Sequence, residues 1–305
     1  MRFLVLSDIH DNIGHVRLLR EQEDNDFDAL IVAGDIGDTI AQEFFEVTDS
    51  FACPTYCVYG NWDNRLEYRP RLSKYARLIH HNIEQVGDLY LTGFSGCPSN
   101  WGNNPAFLSE MSRVECRHQA ILDELGKTQN EARQYERAGV EVGWKVRRIS
   151  LEVDGGKRKP RRRLTEDERA LRRLYSEIRK TEASKAYRNY LRDREQTYGL
   201  VLKENRRQLL ELISASGIAE DKLIVVTHQR LYKLADDGLN PLLHVFGHLH
   251  EYAFRKFKET YYLNAAAMDN GFSEFFGRPK LCPEGYCWVT VYGNDVQVER
   301  RLLPV

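Results

Sequence analysis

Short apolar runs punctuate both ends of this chain, and most of them stop at a polar, glycine-containing fragment. Phe3–Leu6, Ala29–Ala33, Thr55–Tyr59 and Leu89–Phe94 lie near the N-terminus. Lys222–Thr227, Leu242–Phe246, Thr260–Asn264 and Cys287–Tyr292 lie near the C-terminus. Their length and continuous hydrophobicity predict strands buried on both faces. Val296–Arg300 alternates, as a half-exposed strand does. His15–Glu23 and Thr39–Ser50 have the mixed spacing of helices, and Leu209–Ala215 completes another. Strand–helix alternation of this kind predicts an α/β fold.

The middle follows a different grammar. Leu108–Ala138 has helical spacing and few breakers. Thr165-x-x-Glu168 predicts a capping box opening a long helix, with Leu171, Leu174, Tyr175 and Ile178 on one apolar face. The pattern divides the chain into a first α/β part, 1–107, a mostly helical insertion, 108–198, and a second α/β part, 199–305. Charge sharpens that division. From Trp144 to Arg207 there are 21 Lys/Arg against 10 Asp/Glu, although the whole chain has a formal net charge of -1. The remainder is therefore acidic by a similar margin. Gly155–Arg163 predicts an exposed basic loop.

A chain of 305 residues with 42% hydrophobic residues can bury a full core. No apolar run has the length of a membrane span. The short run after Met1 leads straight into Asp8 and does not have the form of a signal peptide. Cys53, Cys57, Cys97, Cys116, Cys282 and Cys287 include no Cys-x-x-Cys pair, so a structural zinc site is not expected. Free thiols and a cytoplasmic setting are the expectations.

The polar fragments carry the candidate chemistry. They are Asp8-Ile9-His10, Gly34-Asp35, Gly60-Asn61-Trp62-Asp63, His228 and Gly247-His248-Leu249-His250. Each follows a predicted strand, and loops at the carboxyl ends of parallel strands gather at one sheet edge. Five loops can thus deliver Asp8, His10, Asp35, Asn61, His228, His248 and His250 to one point. Seven mixed oxygen and nitrogen donors exceed the needs of one cation, whereas two cations sharing Asp35 receive four each. Imidazole with carboxylate suits manganese, iron or zinc better than calcium. Taken alone, each fragment is equally well an ordinary turn; their joint order and placement carry the signal.

In order and residue type the fragments resemble the calcineurin-like metallophosphoesterase family, over roughly Met1–Phe94 and Leu209–Asn270. The resemblance implies a two-sheet sandwich flanked by helices. It implies two divalent transition metal ions, manganese first with iron or zinc as alternatives. Asp8, His10, Asp35 and His250 then match one metal site, and Asp35, Asn61, His228 and His248 the other. The implied reaction is hydrolysis of a phosphoester by a metal-bridging hydroxide. A phosphodiester in a nucleotide or nucleic acid is the first expectation. The alternatives are a phosphomonoesterase on a small molecule or phosphoprotein, and a metal-binding scaffold without turnover.

Trp62 stands where the family most often has a histidine proposed to protonate the leaving oxygen. Indole donates a hydrogen bond but does not titrate usefully. His15, His81 or a metal-bound water is left for that role, or a good leaving group makes it unnecessary. Asp63 is a candidate catalytic residue. Trp62, as a stacking surface or equally a buried packing residue, and Arg230, as a phosphate clasp or a solvated loop arginine, are candidate substrate contacts, with Asp269 and Asn270 behind them. The basic insertion suggests nucleic acid as a partner, with Tyr175, Tyr187, Tyr190 and Tyr198 interleaved among arginines. The opposing reading packs those tyrosines into a small helical core or makes the insertion a cap. No membrane partner is expected.

Overall fold

The computed structural model describes residues 1–64, 73–141, 164–232, 234–269 and 283–303. The basic loop Lys157–Arg163, Asn270 and Cys282 lie outside the described residues. Two compact units appear, one of Met1–Leu108 with Tyr198–Val305, the other of Ser109–Thr197.

In chain order the strands are β1 (Arg2–Leu6), β2 (Ala29–Val32), β3 (Thr55–Cys57), β4 (Ala76–Leu78), β5 (Ile83–Val86), β6 (Leu89–Phe94), β7 (Leu223–Thr227), β8 (Leu243–Phe246), β9 (Ala253–Phe257), β10 (Thr260–Asn264), β11 (Gly285–Tyr292) and β12 (Asp295–Leu302). The helices are α1 (Ile13–Gln22), α2 (Ala41–Asp49), α3 (Pro105–Arg117), α4 (Gln119–Arg137), α5 (Glu166–Glu182) and α6 (Lys185–Ser216).

The first unit holds two mixed six-stranded sheets, ordered β12-β11-β1-β2-β3-β4 and β5-β6-β7-β8-β10-β9. Strands β1 to β4 run parallel in one, and β6, β7, β8 and β10 in the other. Strand pleating sorts the core. Phe3, Val5 and Ile31 from one sheet meet Leu91, Ile224, Val226 and Val245 from the other. The alternate residues Leu4, Leu6, Leu30 and Val32 face outward onto Val16 and Leu19 of α1 and Phe44 and Phe45 of α2. On the second sheet, Leu223 and Val225 pack with Leu209 and Ile213 of α6. Both faces of each sheet are therefore covered, which is why the central strands read as unbroken apolar runs. This is the two-sheet sandwich flanked by helices that the resemblance implied.

Strands β4, β5 and β9 were not predicted. Each lies at a sheet edge, where one side lacks a strand neighbour and apolar continuity is not required. Strand β9, with Arg255 and Lys256, is mostly exposed.

In the second unit, Leu125 and Ala132 of α4 pack with Leu171, Leu174 and Ile178 of α5. The predicted capping box is present: Thr165 Oγ1 accepts from Glu168 N–H, and the Glu168 carboxylate accepts from Thr165 N–H. The predicted helix over 108–138 is broken at His118, whose backbone leaves helical geometry while its Nε2 lies 3.0 Å from Asp193 Oδ2. Tyr175 and Tyr187 pack on this small core. Tyr190 is buried with its ring against Tyr187 and His118. These positions agree with the opposing expectation, tyrosines packed into a small helical core. Among the described residues, no helix is long and apolar enough to cross a membrane.

Candidate metal centre

Every predicted ligand lies just beyond a parallel strand: Asp8 and His10 after β1, Asp35 after β2, Asn61 after β3, His228 after β7, and His248 and His250 after β8. Parallel strands put these loops at one edge. Asp8, Asp35 and His228 are wholly or almost wholly buried. Their donor atoms form overlapping groups: Asp8 with His10 and His250, and Asp8 with Asp35 and His228, each within 4.8 Å of one another. His248 joins His228 in a third group of the same span.

Asp35 is central. Its Oδ2 lies 3.1 Å from His10 Nε2 and 3.2 Å from His228 Nε2. Its Oδ1 accepts the Trp62 backbone N–H at 2.7 Å. Asp8 Oδ1 lies 3.5 Å from His250 Nε2 and 3.9 Å from His228 Nε2. Asn61 Oδ1 is 3.1 Å from His228 Nε2.

The surroundings fix these donors. Ser7 Oγ donates to Asp8 Oδ2 at 2.8 Å, and the His248 N–H reaches both Asp8 oxygens at 3.1 Å. His228 Nδ1 donates to the Ala33 carbonyl at 2.8 Å, which leaves Nε2 to face the carboxylates. Backbone strain is concentrated here. Asp8, His10, Asp11, Asp35, His248 and His250 all have φ between 49° and 70°. Asp and His tolerate this left-handed region better than most residues, and its use clusters at functional sites.

The electrostatics call for cations. Burial opposes the charge on His228, yet the Asp35 carboxylate and then Asp8 raise it to about 9. Burial likewise opposes ionisation of Asp35, but His228 and His10 hold it well below the usual carboxylate range. The buried carboxylates thus draw positive charge onto His228 and His10, whereas burial lowers the pKa of His248 and His250, and a divalent cation answers the same demand. With four imidazoles, two carboxylates and one amide oxygen, the donor set fits borderline transition metals.

Asp63 is wholly buried. Its Oδ2 accepts the N–H groups of Asp35 at 2.9 Å and Gly60 at 2.6 Å, and its Oδ1 accepts that of Gly37 at 2.9 Å. It ties together the loops that carry Asp35 and Asn61, so its geometry is that of a positioning residue rather than of the catalytic one expected. Gly60 is required by close approach, since a Cβ there would lie 2.0 Å from Asp35 Oδ1.

Trp62 is half-buried, with its ring 5.4 Å from that of His10, and its Nε1 donates to Asp11 Oδ2 at 2.8 Å. The two alternative proton donors differ. His81 stacks on Phe94 with both ring nitrogens buried, and burial lowers its pKa. His15 Nδ1 donates to the Met268 carbonyl, one residue before Asp269, whose N–H donates to the Asp8 carbonyl.

Arg230 is not a solvated loop arginine. Its guanidinium lies 5.0 Å from the ring centres of Tyr232 and Tyr262 and 5.6 Å from that of Phe246. Its Nε is buried without a hydrogen-bond partner among the described residues. With Gln229, Lys203, Arg206, Leu202 and Tyr232 it lines a cavity of about 280 Å³. Sequence reasoning passed over Cys97, whose thiol groups with His228 and His248. The available signal was its position three residues beyond β6, the placement shared by the predicted ligands.

No curated protein matches the chain. Among solved structures, the protein TT1561 of Thermus thermophilus is 11% identical over 98% of each chain, with a TM-score of 0.48. An archaeal phosphodiesterase is 9% identical over 99% of this chain and 100% of that one, with a TM-score of 0.39. A putative 5'-nucleotidase from Staphylococcus aureus is 13% identical over 100% of this chain and 54% of that one, with a TM-score of 0.40. All three fall below a TM-score of 0.5, and the reading of the site rests on its own residues. Residues 1–122 match the family model of the calcineurin-like phosphoesterase superfamily domain. That segment, less than half of the chain, supplies Asp8, His10, Asp35 and Asn61 to the centre.

Proposed function

We propose that the first unit is the catalytic domain of a dinuclear-metal-dependent phosphoester hydrolase acting on a phosphodiester, in a nucleotide or nucleic acid. One observation carries the reading: Asp35 Oδ2 lies between His10 Nε2 and His228 Nε2, at 3.1 and 3.2 Å, as a carboxylate shared by two cations would. Asp8, His10, Asp35 and His250 would hold one ion, and Asp35, Asn61, His228 and His248 the other. Manganese is the first candidate, with iron or zinc as alternatives. When bound, the pair neutralises phosphoryl oxygens and lowers the pKa of water at the site.

The chain's own residues orient this chemistry. Ser7 and the His248 N–H fix Asp8, the Ala33 carbonyl fixes the His228 tautomer, and Asp63 holds the two loops that supply Asp35 and Asn61. Trp62 spends its indole N–H on Asp11, so its ring serves as a wall beside the site rather than as a proton donor. His15 is the better candidate for protonating the leaving oxygen, because its Nδ1 is anchored on the Met268 carbonyl beside the segment that bonds Asp8, whereas both ring nitrogens of His81 are buried. Arg230 would bind an anionic oxygen of the substrate through the terminal N–H groups of its guanidinium, its Nε being buried.

The test compares bis-p-nitrophenyl phosphate with p-nitrophenyl phosphate in manganese. The diester is expected to turn over faster. Faster monoester turnover would contradict the diesterase assignment and favour a phosphomonoesterase.

A further inference from the structure

We propose that Cys97 is an eighth donor of the centre, a thiolate ligand at the second cation site that shifts its preference from manganese toward zinc, cobalt or ferrous iron. The inference rests on the two-cation reading above. Three observations support it.

The first is geometric. Cys97 Sγ and one ring nitrogen each of His228 and His248 lie within 4.8 Å of one another, and Sγ is 3.8 Å from Asn61 Oδ1. Donors around one tetrahedral zinc sit roughly 3.3–3.6 Å apart, given Zn–S of about 2.3 Å and Zn–N of about 2.0–2.1 Å. Adjustments of about 1 Å close that gap.

The second is the way the loop is built. Ser95 carbonyl accepts the N–H groups of both His228 and Gln229, at 2.9 and 3.0 Å. Gly96 has φ 71°, and a Cβ there would lie 2.2 Å from the Gln229 carbonyl oxygen. The segment after β6 is thus pressed against the segment after β7, and the next residue is Cys97. The Cys97 N–H also bonds Ser95 Oγ at 3.3 Å. Backbone contacts hold the thiol in place.

The third is the company it keeps. Cys97 is only 3% exposed, and His228, His248 and Asn61, donors of the second site, lie beside its sulfur. Manganese prefers oxygen, whereas a soft thiolate beside two imidazoles favours zinc, cobalt and iron. On binding, the S–H bond breaks heterolytically, its proton passes to bulk water, and a sulfur–metal bond replaces one metal–water bond. No electron is transferred.

The experiment is an anaerobic cobalt(II) titration of the metal-free full chain, read by absorption. Two equivalents are expected to bind, with a near-ultraviolet sulfur-to-cobalt charge-transfer band that grows with one of them. In Cys97→Ser the band is lost while both ions still bind. In the same variant zinc affinity falls about ten-fold or more, and manganese affinity changes less than about three-fold. Cys116, the exposed thiol among the described residues, is replaced by serine in all samples to remove adventitious binding.

Two bound cobalt ions without the band, or a band that persists in Cys97→Ser, overturns the thiolate ligand and leaves the two-cation reading intact. Failure to bind cobalt at all sinks both. If Cys97→Ser does not fold, zinc X-ray absorption of the parent chain at two equivalents decides the matter. One sulfur scatterer near 2.3 Å, a distance of about that size being usual for Zn–S, is the expected result, and a shell of nitrogen and oxygen alone overturns the proposal.

Discussion

Gly60 shows how little room the centre leaves. It precedes Asn61, and a Cβ there would meet Asp35 Oδ1 at 2.0 Å and Asp35 N at 2.4 Å. The second contact is backbone, so the loop itself must shift. Misplacement by about 1 Å can cost roughly 100-fold in rate. Gly60→Ala is accordingly expected to lose at least about 100-fold in kcat, while circular dichroism stays that of the parent. Full activity in the variant would contradict the assigned geometry. At this scale the seven candidate ligands were legible because each pairs a suitable donor with a strand end. The part played by Asp63 was not. Its letter fits a catalytic group, and only its three backbone partners identify a positioning one. Cys97 escaped because a cysteine without a nearby cysteine or histidine in sequence has no spacing to read. Arg230 was legible as a candidate, but its aromatic cage is assembled from Tyr232, Phe246 and Tyr262, which three separate segments bring together.

Strand β8 carries a testable buried histidine. His244 is wholly buried beside Thr227, whose Oγ1 lies 3.0 Å from Nε2. Burial, then the charges of Arg230 and Arg206, push its pKa from 6.5 down to about 3. The unfolded chain protonates this ring near pH 6.5, whereas the folded chain resists until near 3. Its contribution is therefore complete above the unfolded value and is lost as pH falls, by about 1.4 kcal/mol per unit. Urea denaturation of His244→Gln should show a smaller loss of stability between pH 7 and pH 5 than the parent, by about 2 kcal/mol. Equal losses would contradict this account of β8. On α5, Thr165→Ala removes the side chain that caps Glu168 N–H and should cost about 1 kcal/mol. Hydrogen exchange in the first turn should accelerate about five-fold, and unchanged protection would count against the cap. Central strands and the capping box were readable because burial on two faces and a spaced Thr–Glu pair leave local signatures. The edge strands β4, β5 and β9 leave none, and the break at His118 coincides with a contact to Asp193, 75 residues away, which local spacing does not reveal.

Across the molecule, chemistry and charge fall in different units. The donors of the centre belong to Met1–Leu108 and Tyr198–Val305, while most of the basic excess from Trp144 to Arg207 belongs to Ser109–Thr197. With Tyr175, Tyr187 and Tyr190 in helical packing, charge is the part of the proposed nucleic-acid contact that a substitution tests cleanly. Replacing the Lys and Arg residues of Lys157–Arg163 with serine should weaken binding to single-stranded nucleic acid and flatten its salt dependence. Unchanged binding would assign those charges to solvation. The central claim is narrower, namely that Asp35 is shared by two cations. Metal content of the metal-loaded, gel-filtered chain, measured by inductively coupled plasma mass spectrometry beside Asp35→Asn, tests it most directly. Two ions per parent chain are expected, and at most one in Asp35→Asn with loss of diesterase activity. Two tightly held ions and full activity in Asp35→Asn would contradict it.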